Sequence, residues 1–169
     1  MDINWHSNIS MVPKIDDYFL MCKMKTGSLA RLAAELGAFA AGAQPDTIQQ
    51  LGEAADMMGI GFQILDDVKN LTTGIPGKKR GDDIVEGKKS LPVLLYLHKH
   101  PEKREFIFYH FHTAKLEGIG AQEVDELIET LTAAGVFTEA NEKGQSLIND
   151  ARKVFGVHSL LDGFFNIIS

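Results

Sequence analysis

Two adjacent carboxylates are the residues in this sequence with the clearest potential for chemistry. Asp66 and Asp67 lie in the mostly apolar stretch 61–70. On a helix, Gln63 and Asn70 would share their face, because residues three and four apart are neighbours. Adjacent carboxylates repel each other unless a cation lies between them, and Mg²⁺ commonly bridges one or two carboxylates to a substrate phosphate. The stretch predicts a magnesium–diphosphate site, with Asp66, Asp67 and Asn70 as the metal ligands.

The segment after this stretch strengthens the prediction. Residues 77–90, GKKRGDDIVEGKKS, place glycines around a basic cluster. Lysines on such a loop would share the negative charge of a diphosphate with the metal, and Lys25-Thr26-Gly27 adds a third set of donors. Two plainer interpretations stay open. The aspartates are also compatible with a solvated helix face where Lys69 pairs with Asp66, and the basic cluster with a solvated charge run.

The elements that must position these residues are predicted to be helices throughout. Apolar residues recur at three- and four-residue intervals along most of the chain, and no convincing pair of strands is found. Alternation over residues 106–112 is also compatible with a strand, but the charged residues on both sides of it favour a helix. A glycine-rich loop is expected from Thr72 to Asp83. The pattern predicts an all-α fold, with residues 1–169 forming a single helical domain. Its predicted helices run from Asp16 or Asp17 to about Leu36, from Asp46 to about Leu71, from Ser90 onward, and over 101–116, 121–134 and 137–155.

Composition excludes several classes of function. The formal net charge of -6 argues against a nucleic-acid surface, which needs a dense basic footprint. No apolar run approaches the roughly 20 residues of a membrane span, and the first residues do not have the pattern of a signal peptide. The single cysteine, Cys22, excludes an internal disulfide. A cytoplasmic location is the expectation.

Taken together, these motifs resemble those of the trans-prenyl diphosphate synthases. The run Phe62-Gln63-x-x-Asp66-Asp67-x-x-Asn70 is similar to the second aspartate-rich motif of the family. Gly77-Lys78 and residues 81–88 resemble its following loop, and Lys25-Thr26-Gly27 resembles its Lys-Thr-Gly. The order and spacing match over residues 1–98. The resemblance implies a helical bundle of the isoprenoid synthase type, of which this chain would be the C-terminal half.

The resemblance also implies a reaction. Asp66 and Asp67 would hold magnesium on the diphosphate of an allylic substrate, and Thr26 and Gln63 would lie near the reacting carbons or the departing pyrophosphate. Three lysines would contact the same diphosphate: Lys25, Lys78 and Lys88. In the family, the allylic diphosphate ionises to a carbocation that isopentenyl diphosphate captures. Metal and lysines stabilise the leaving group, so the protein supplies no nucleophile.

The sequence departs from the family pattern in two ways. Asn70 stands where an aspartate is usual, and its amide offers an oxygen without a charge, which would lower metal affinity. The effect is expected to be small, because the first aspartate is the main ligand in the family. The first aspartate-rich motif and the basic residues for isopentenyl diphosphate are absent from this sequence. The isolated chain is therefore expected to be an inactive fragment of a longer synthase, and to form a homo-oligomer or associate with the missing half. The chain could otherwise be one natural part of a split or heteromeric enzyme. Two alternative functions also stay open, namely a terpene cyclase relative and a non-catalytic helical subunit that modulates a partner synthase.

Overall fold

The computed structural model describes residues 8, 11–74, 77 and 79–156. Every regular element within these ranges is a helix, which confirms the all-α prediction. The α-helices are α1 (Ile15–Cys22), α2 (Ser28–Ala40), α3 (Pro45–Thr72), α4 (Asp82–Val85), α5 (Leu91–Lys99), α6 (Arg104–Glu117), α7 (Gln122–Ala133) and α8 (Val136–Phe155). A π-helical turn, Lys23–Gly27, joins α1 to α2, and a 3₁₀ turn, Pro101–Lys103, precedes α6.

The predicted helices are all present, and two local features were not predicted. The first is the π turn. It interrupts the single regular helix that the apolar spacing predicted from Asp16 or Asp17 to about Leu36. The second is the four-residue helix α4, which begins inside the segment assigned to loop. None of the described helices combines the length and the apolar composition that a membrane span requires. The part of the predicted opening loop before residue 11 lies outside the described residues, apart from Asn8.

Packing divides the chain into two compact units. The first unit comprises residues 1–18 and 66–141, and the second comprises residues 19–65 and 142–169. In the first unit, most of the aliphatic and phenylalanine side chains with almost no exposed surface come from the end of α3, from α4 and from α5 to α8. They include Leu71, Ile84, Leu91, Val93, Ile107, Phe111, Leu127, Leu131 and Val136. Burial of this many large apolar side chains stabilises the unit that carries Asp66 and Asp67.

The second unit contains α2, the first 21 residues of α3 and most of α8. Its helices α3 and α8 cross at two glycines, since a Cβ on Gly61 would lie 2.7 Å from the carbonyl oxygen of Gly144. Beside this crossing, Leu65 and Ile148 form a small buried cluster. Helix α2, by contrast, leaves an apolar stripe largely exposed: Leu29, Leu32, Leu36 and Phe39. Their spacing of three or four residues places them on one side of the helix.

Candidate active site

The last two turns of α3 carry the predicted metal ligands, and their environments differ. Asp67 has no exposed surface, and Asn70 is 2% exposed. Asp66 is only half-buried. Adjacent residues on a helix point about 100° apart, so Asp67 enters the interior of the first unit while Asp66 lies at its edge. Lys69 is exposed and forms no ion pair with Asp66, so the surface pair considered as an alternative is absent.

Asp67 bonds to two described residues that are far away in the sequence. The Tyr18 hydroxyl donates a hydrogen bond to Oδ2 of Asp67 at 2.7 Å. The Lys88 ammonium donates to Oδ1 of Asp67 at 2.6 Å and to Oδ2 of Asp83 at 2.9 Å. The Lys88 side chain is 12% exposed, and that of Asp83 is 2% exposed. These four residues, Tyr18, Asp67, Asp83 and Lys88, form a buried polar network that is called the Lys88 network below.

Local backbone structure explains how Lys88 reaches this position. After α4, Gly87 adopts a positive φ of 72°. Its amide donates to the carbonyl of Ile84, and the Lys88 amide donates to the carbonyl of Asp83. This is the Schellman arrangement that commonly ends a helix at a glycine. It turns the chain back, so that the Lys88 side chain can bond to Asp83 five residues earlier.

The start of α4 is fixed by α3. Gly81 has a φ of 89° and packs so closely against α7 that a Cβ would lie 2.6 Å from Cγ1 of Val124. The amide of Gly81 donates to the carbonyl of Asn70, and the amide of Asp83 donates to Oδ1 of Asn70 at 3.1 Å. Asn70 thus satisfies backbone donors at a helix start. Its side-chain oxygen is engaged in the fold, whereas the sequence predicted it as a metal ligand.

Electrostatics in the Lys88 network favour a charged lysine. Burial alone would lower the pKa of Lys88, but the carboxylates of Asp67 and Asp83 outweigh burial and raise the pKa above its usual value. Burial raises the pKa of the Asp67 carboxyl, and its contacts with Lys88 and Tyr18 offset that rise only in part. Lys88 is therefore an ammonium at neutral pH, and it balances buried negative charge that would otherwise be costly.

The remaining predicted residues lie elsewhere. In the second unit, the Thr26 hydroxyl on the π turn donates to Oε1 of Gln63 at 3.4 Å, so the structure brings these two predicted residues together. Lys25, on the same turn, is exposed and bonds to no described residue. Lys78 lies outside the described residues. The basic loop is not a solvated charge run throughout, because Lys88 is largely buried and Lys89 has no exposed surface.

Sequence reasoning missed two members of the network. Tyr18 carries no motif signal, since a tyrosine in an amphipathic helix is most simply a core residue. Asp83 lies inside the loop motif over residues 81–88, but the sequence assigned it no role. The signal that could have found Asp83 is its position five residues before Lys88, with Gly87 between them to reverse the chain.

The donor chemistry around Asp66 fits a hard cation. Asp66 has a half-exposed carboxylate and forms no hydrogen bond or ion pair with any described residue. No group of three or more His, Cys, Asp or Glu side chains suited to a metal occurs in the described part of the chain. Magnesium needs no such group, because it retains waters and binds through one or two carboxylates together with substrate phosphates. The arrangement suits a metal that arrives with a diphosphate.

Comparison with known proteins identifies the family. Residues 1–131 match the polyprenyl synthetase family, and this chain belongs to it. The chain is 31% identical over 142 residues to chloroplastic solanesyl diphosphate synthase 1 of Arabidopsis thaliana. This alignment covers 83% of this chain and 33% of that protein. The chain is also 30% identical over 148 residues to geranylgeranyl diphosphate synthase of Methanosarcina mazei. That alignment covers 83% of this chain and 42% of the relative.

Solved structures show the same fold. The chain superposes on a decaprenyl diphosphate synthase from Rhodobacter capsulatus with a TM-score of 0.80 at 23% identity, covering 99% of this chain and 53% of that one. For a heptaprenyl diphosphate synthase from Staphylococcus aureus the TM-score is 0.77 at 24% identity, covering 95% of this chain and 51% of that one. The chain thus spans about half the length of these structures and less than half of the curated relatives above.

Proposed function

We propose that this chain supplies the half of a prenyltransferase site that carries the second aspartate-rich motif. This half binds an allylic diphosphate together with magnesium, for condensation with isopentenyl diphosphate. One observation carries the proposal beyond family membership. Asp66 offers a carboxylate that bonds to no described residue, directly beside Asp67, whose charge is balanced by Lys88 at 2.6 Å. A cation site and a buried ammonium therefore lie next to each other, as recognition of a diphosphate requires.

In this proposal the two aspartates have different roles. Asp66 is the principal metal ligand, because its oxygens bond to no other described residue. Asp67 adds negative charge and orients Lys88, and it would be a second ligand beside Asp66. When bound, magnesium supplies electrostatic stabilisation of the departing diphosphate. Asn70 contributes through the position of α4, and its oxygen, which accepts the Asp83 amide, has a second lone pair with which it would bind metal.

The lysines stabilise the charge that develops as the allylic carbon–oxygen bond breaks. Lys88 is held as an ammonium at neutral pH, so it can donate to a phosphate oxygen without gaining a proton first. By the family resemblance, Lys25 and Lys78 donate to the same diphosphate, and Thr26 and Gln63 lie near the reacting carbons. These assignments are part of the proposal. We expect the 169-residue chain by itself to bind the allylic substrate without turning it over.

Calorimetry with geranyl diphosphate, with and without magnesium, tests the proposal. We expect binding that depends on magnesium and that weakens about tenfold or more in Asp66→Asn, which corresponds to the loss of one charged ligand contact of about 1.4 kcal/mol or more. Asp46→Asn is the matched control, because Asp46 is an exposed aspartate in the first turn of the same helix. The control should bind as the unaltered chain does.

Three outcomes would count against the proposal. Binding that is equal with and without magnesium would remove the metal from the site. Binding that is lost equally in Asp66→Asn and Asp46→Asn would mean that the aspartate pair has no special role, and a complete lack of binding by a folded chain would favour a non-catalytic subunit. Circular dichroism and urea unfolding of each variant establish that it is folded before its affinity is compared.

A further inference from the structure

A third buried carboxylate, Asp56, lies on α3 in the second unit and belongs to none of the predicted motifs. Its side chain is 7% exposed. Its Oδ2 atom forms an ion pair with Nζ of Lys23 at 3.2 Å and accepts a hydrogen bond from Nη1 of Arg31 at 3.2 Å. Arg31 also donates from Nε to Glu35 at 2.7 Å. Lys23 begins the π turn and Arg31 follows it, so the two cations flank the segment that contains Lys25, Thr26 and Gly27.

The π turn brings these two cations onto one side of the helix. Each residue of a regular α-helix turns the chain by about 100°, so side chains eight residues apart, like Lys23 and Arg31, would differ by about 80°. A π turn accommodates one additional residue, which makes the spacing equivalent to seven residues and reduces the difference to about 20°. Both side chains then face Asp56. The double contact to Asp56 therefore favours the π form over a regular α-helix.

Backbone contacts fix the turn against α3 at the same place. A Cβ on Gly59 would lie 2.7 Å from Cα of Gly27, and a Cβ on Gly27 would lie 3.1 Å from Oδ1 of Asp56. The turn itself is closed by Ser28, whose amide and hydroxyl both donate to the carbonyl of Lys23, the hydroxyl at 3.0 Å. This approach requires glycine at position 59, and it leaves only tight space for a Cβ at position 27. The carboxylate of Asp56 thus lies against the backbone of the turn and binds cations on both sides of it.

We propose that Asp56 is a positioning residue, whose bonds to Lys23 and Arg31 hold the π turn in register and thereby set where Lys25 and Thr26 lie. The inference rests on the proposed function, since Lys25 and Thr26 matter only if they meet substrate. Loss of the Asp56 charge leaves the turn free to shift toward regular α-helix. Such a shift rotates Lys25 and Thr26 relative to α3 and breaks the 3.4 Å contact between Thr26 and Gln63.

Amide hydrogen exchange of the ligand-free chain tests the positioning directly. In Asp56→Asn, exchange at residues 23–28 should accelerate about tenfold or more, because the local opening free energy falls. Glu35→Gln is the matched control, since it removes the other carboxylate partner of Arg31 and leaves Asp56 intact. Lys23→Met removes one arm of the contact from a partly exposed side chain, so it gives a second variant that does not disturb the interior. Unchanged exchange in both Asp56→Asn and Lys23→Met would overturn the inference.

A double-mutant cycle then tests whether Asp56 acts through Lys25. The readout is the magnesium-dependent affinity for geranyl diphosphate of Asp56→Asn, Lys25→Met and the double variant. If Asp56 acts by positioning Lys25, the double variant should be no weaker than Lys25→Met within about twofold, because the two losses are not additive. Losses that multiply would overturn the inference. If the unaltered chain does not bind, the proposed function fails, and the exchange measurement still decides whether Asp56 holds the turn.

Discussion

Replacing Lys88 by methionine should destabilise this protein far more than replacing a surface lysine. The substitution keeps the length and apolar stem of the side chain but removes the ammonium that bonds to Asp67 and Asp83, which are 0% and 2% exposed. Breaking a buried ion pair by removing one partner typically costs about 3–5 kcal/mol, because the remaining charge is uncompensated. The expected loss in the free energy of unfolding therefore exceeds that of an ordinary point mutation.

Proton uptake sets a limit to the loss for each of the two aspartates. A buried carboxylate without its cation can become neutral. Holding one aspartate protonated at pH 7, against the ordinary aspartate pKa of about 3.9, costs about 4 kcal/mol at roughly 1.36 kcal/mol for each pH unit. The limit agrees with the range for a broken pair. It also makes the effect pH-dependent, because the cost of protonation falls by up to about 1.4 kcal/mol for each unit that the pH is lowered. The deficit of Lys88→Met should shrink as the pH falls from 7 to 5.

Urea unfolding at pH 7 and pH 5 measures both effects. Lys99→Met is the control, because Lys99 pairs with Glu139 where both side chains are more than 40% exposed, and such surface pairs contribute about 0–1 kcal/mol. The interpretation of the Lys88 network would be refuted if Lys88→Met lost no more than Lys99→Met at pH 7. A large loss that is equal at both pH values would also refute it, since uncompensated carboxylates must respond to pH.

Three further predictions concern other parts of the chain. Asn70→Ala should lower the free energy of unfolding by about 1–3 kcal/mol in urea, because it leaves the buried Asp83 amide without its acceptor. Burial, and to a smaller extent the positive charge of nearby Lys115, lowers the pKa of Lys89 to about 8. An unfolded lysine keeps its proton to about pH 10.4, so between about pH 8 and pH 10.4 the unfolded chain binds a proton that the folded chain has lost. The free energy of unfolding should therefore increase by up to about 3 kcal/mol as the pH rises through this range. In urea titrations across that range, Lys89→Met should lack this rise, and substitution of an exposed lysine such as Lys103 should retain it. Leu32→Glu, in the exposed stripe of α2, should reduce self-association in sedimentation velocity experiments relative to the same change at exposed Leu116 in α6.

Much of the fold could be predicted from the sequence, because helical periodicity depends on residues close together in the chain. The spacing of apolar residues located every long helix, and the glycines located the loop before α4. The π turn at Lys23–Gly27 could not be predicted in this way. It depends on Asp56, which is 25 residues beyond Arg31 in the sequence, and on the close contact between Gly27 and Gly59. Helix α4 was missed for a similar reason, because Asn70 and α7 fix its start from outside the segment.

The same limit applies to the candidate site. The motif places Asp66 and Asp67 side by side, and from their spacing alone both are equally suitable as metal ligands. The two aspartates differ because Asp67 bonds to Tyr18, 49 residues before it, and to Lys88, 21 residues after it. No local pattern indicates which of two adjacent side chains faces the interior when the contacts that decide it are this distant. The distinction between an open Asp66 and a bonded Asp67 is therefore a property of the tertiary structure.

This distinction also gives a physical account of the asparagine at position 70. Asn70 accepts a hydrogen bond from the Asp83 amide while it lies 2% exposed. An aspartate could accept the same bond, but it would add a buried negative charge beside a network in which Lys88 already faces the carboxylates of Asp67 and Asp83. Like charges buried away from water are costly unless a further cation compensates them. The neutral amide keeps the helix contact and avoids that cost, so position 70 serves the architecture around Lys88 while Asp66 retains the open carboxylate.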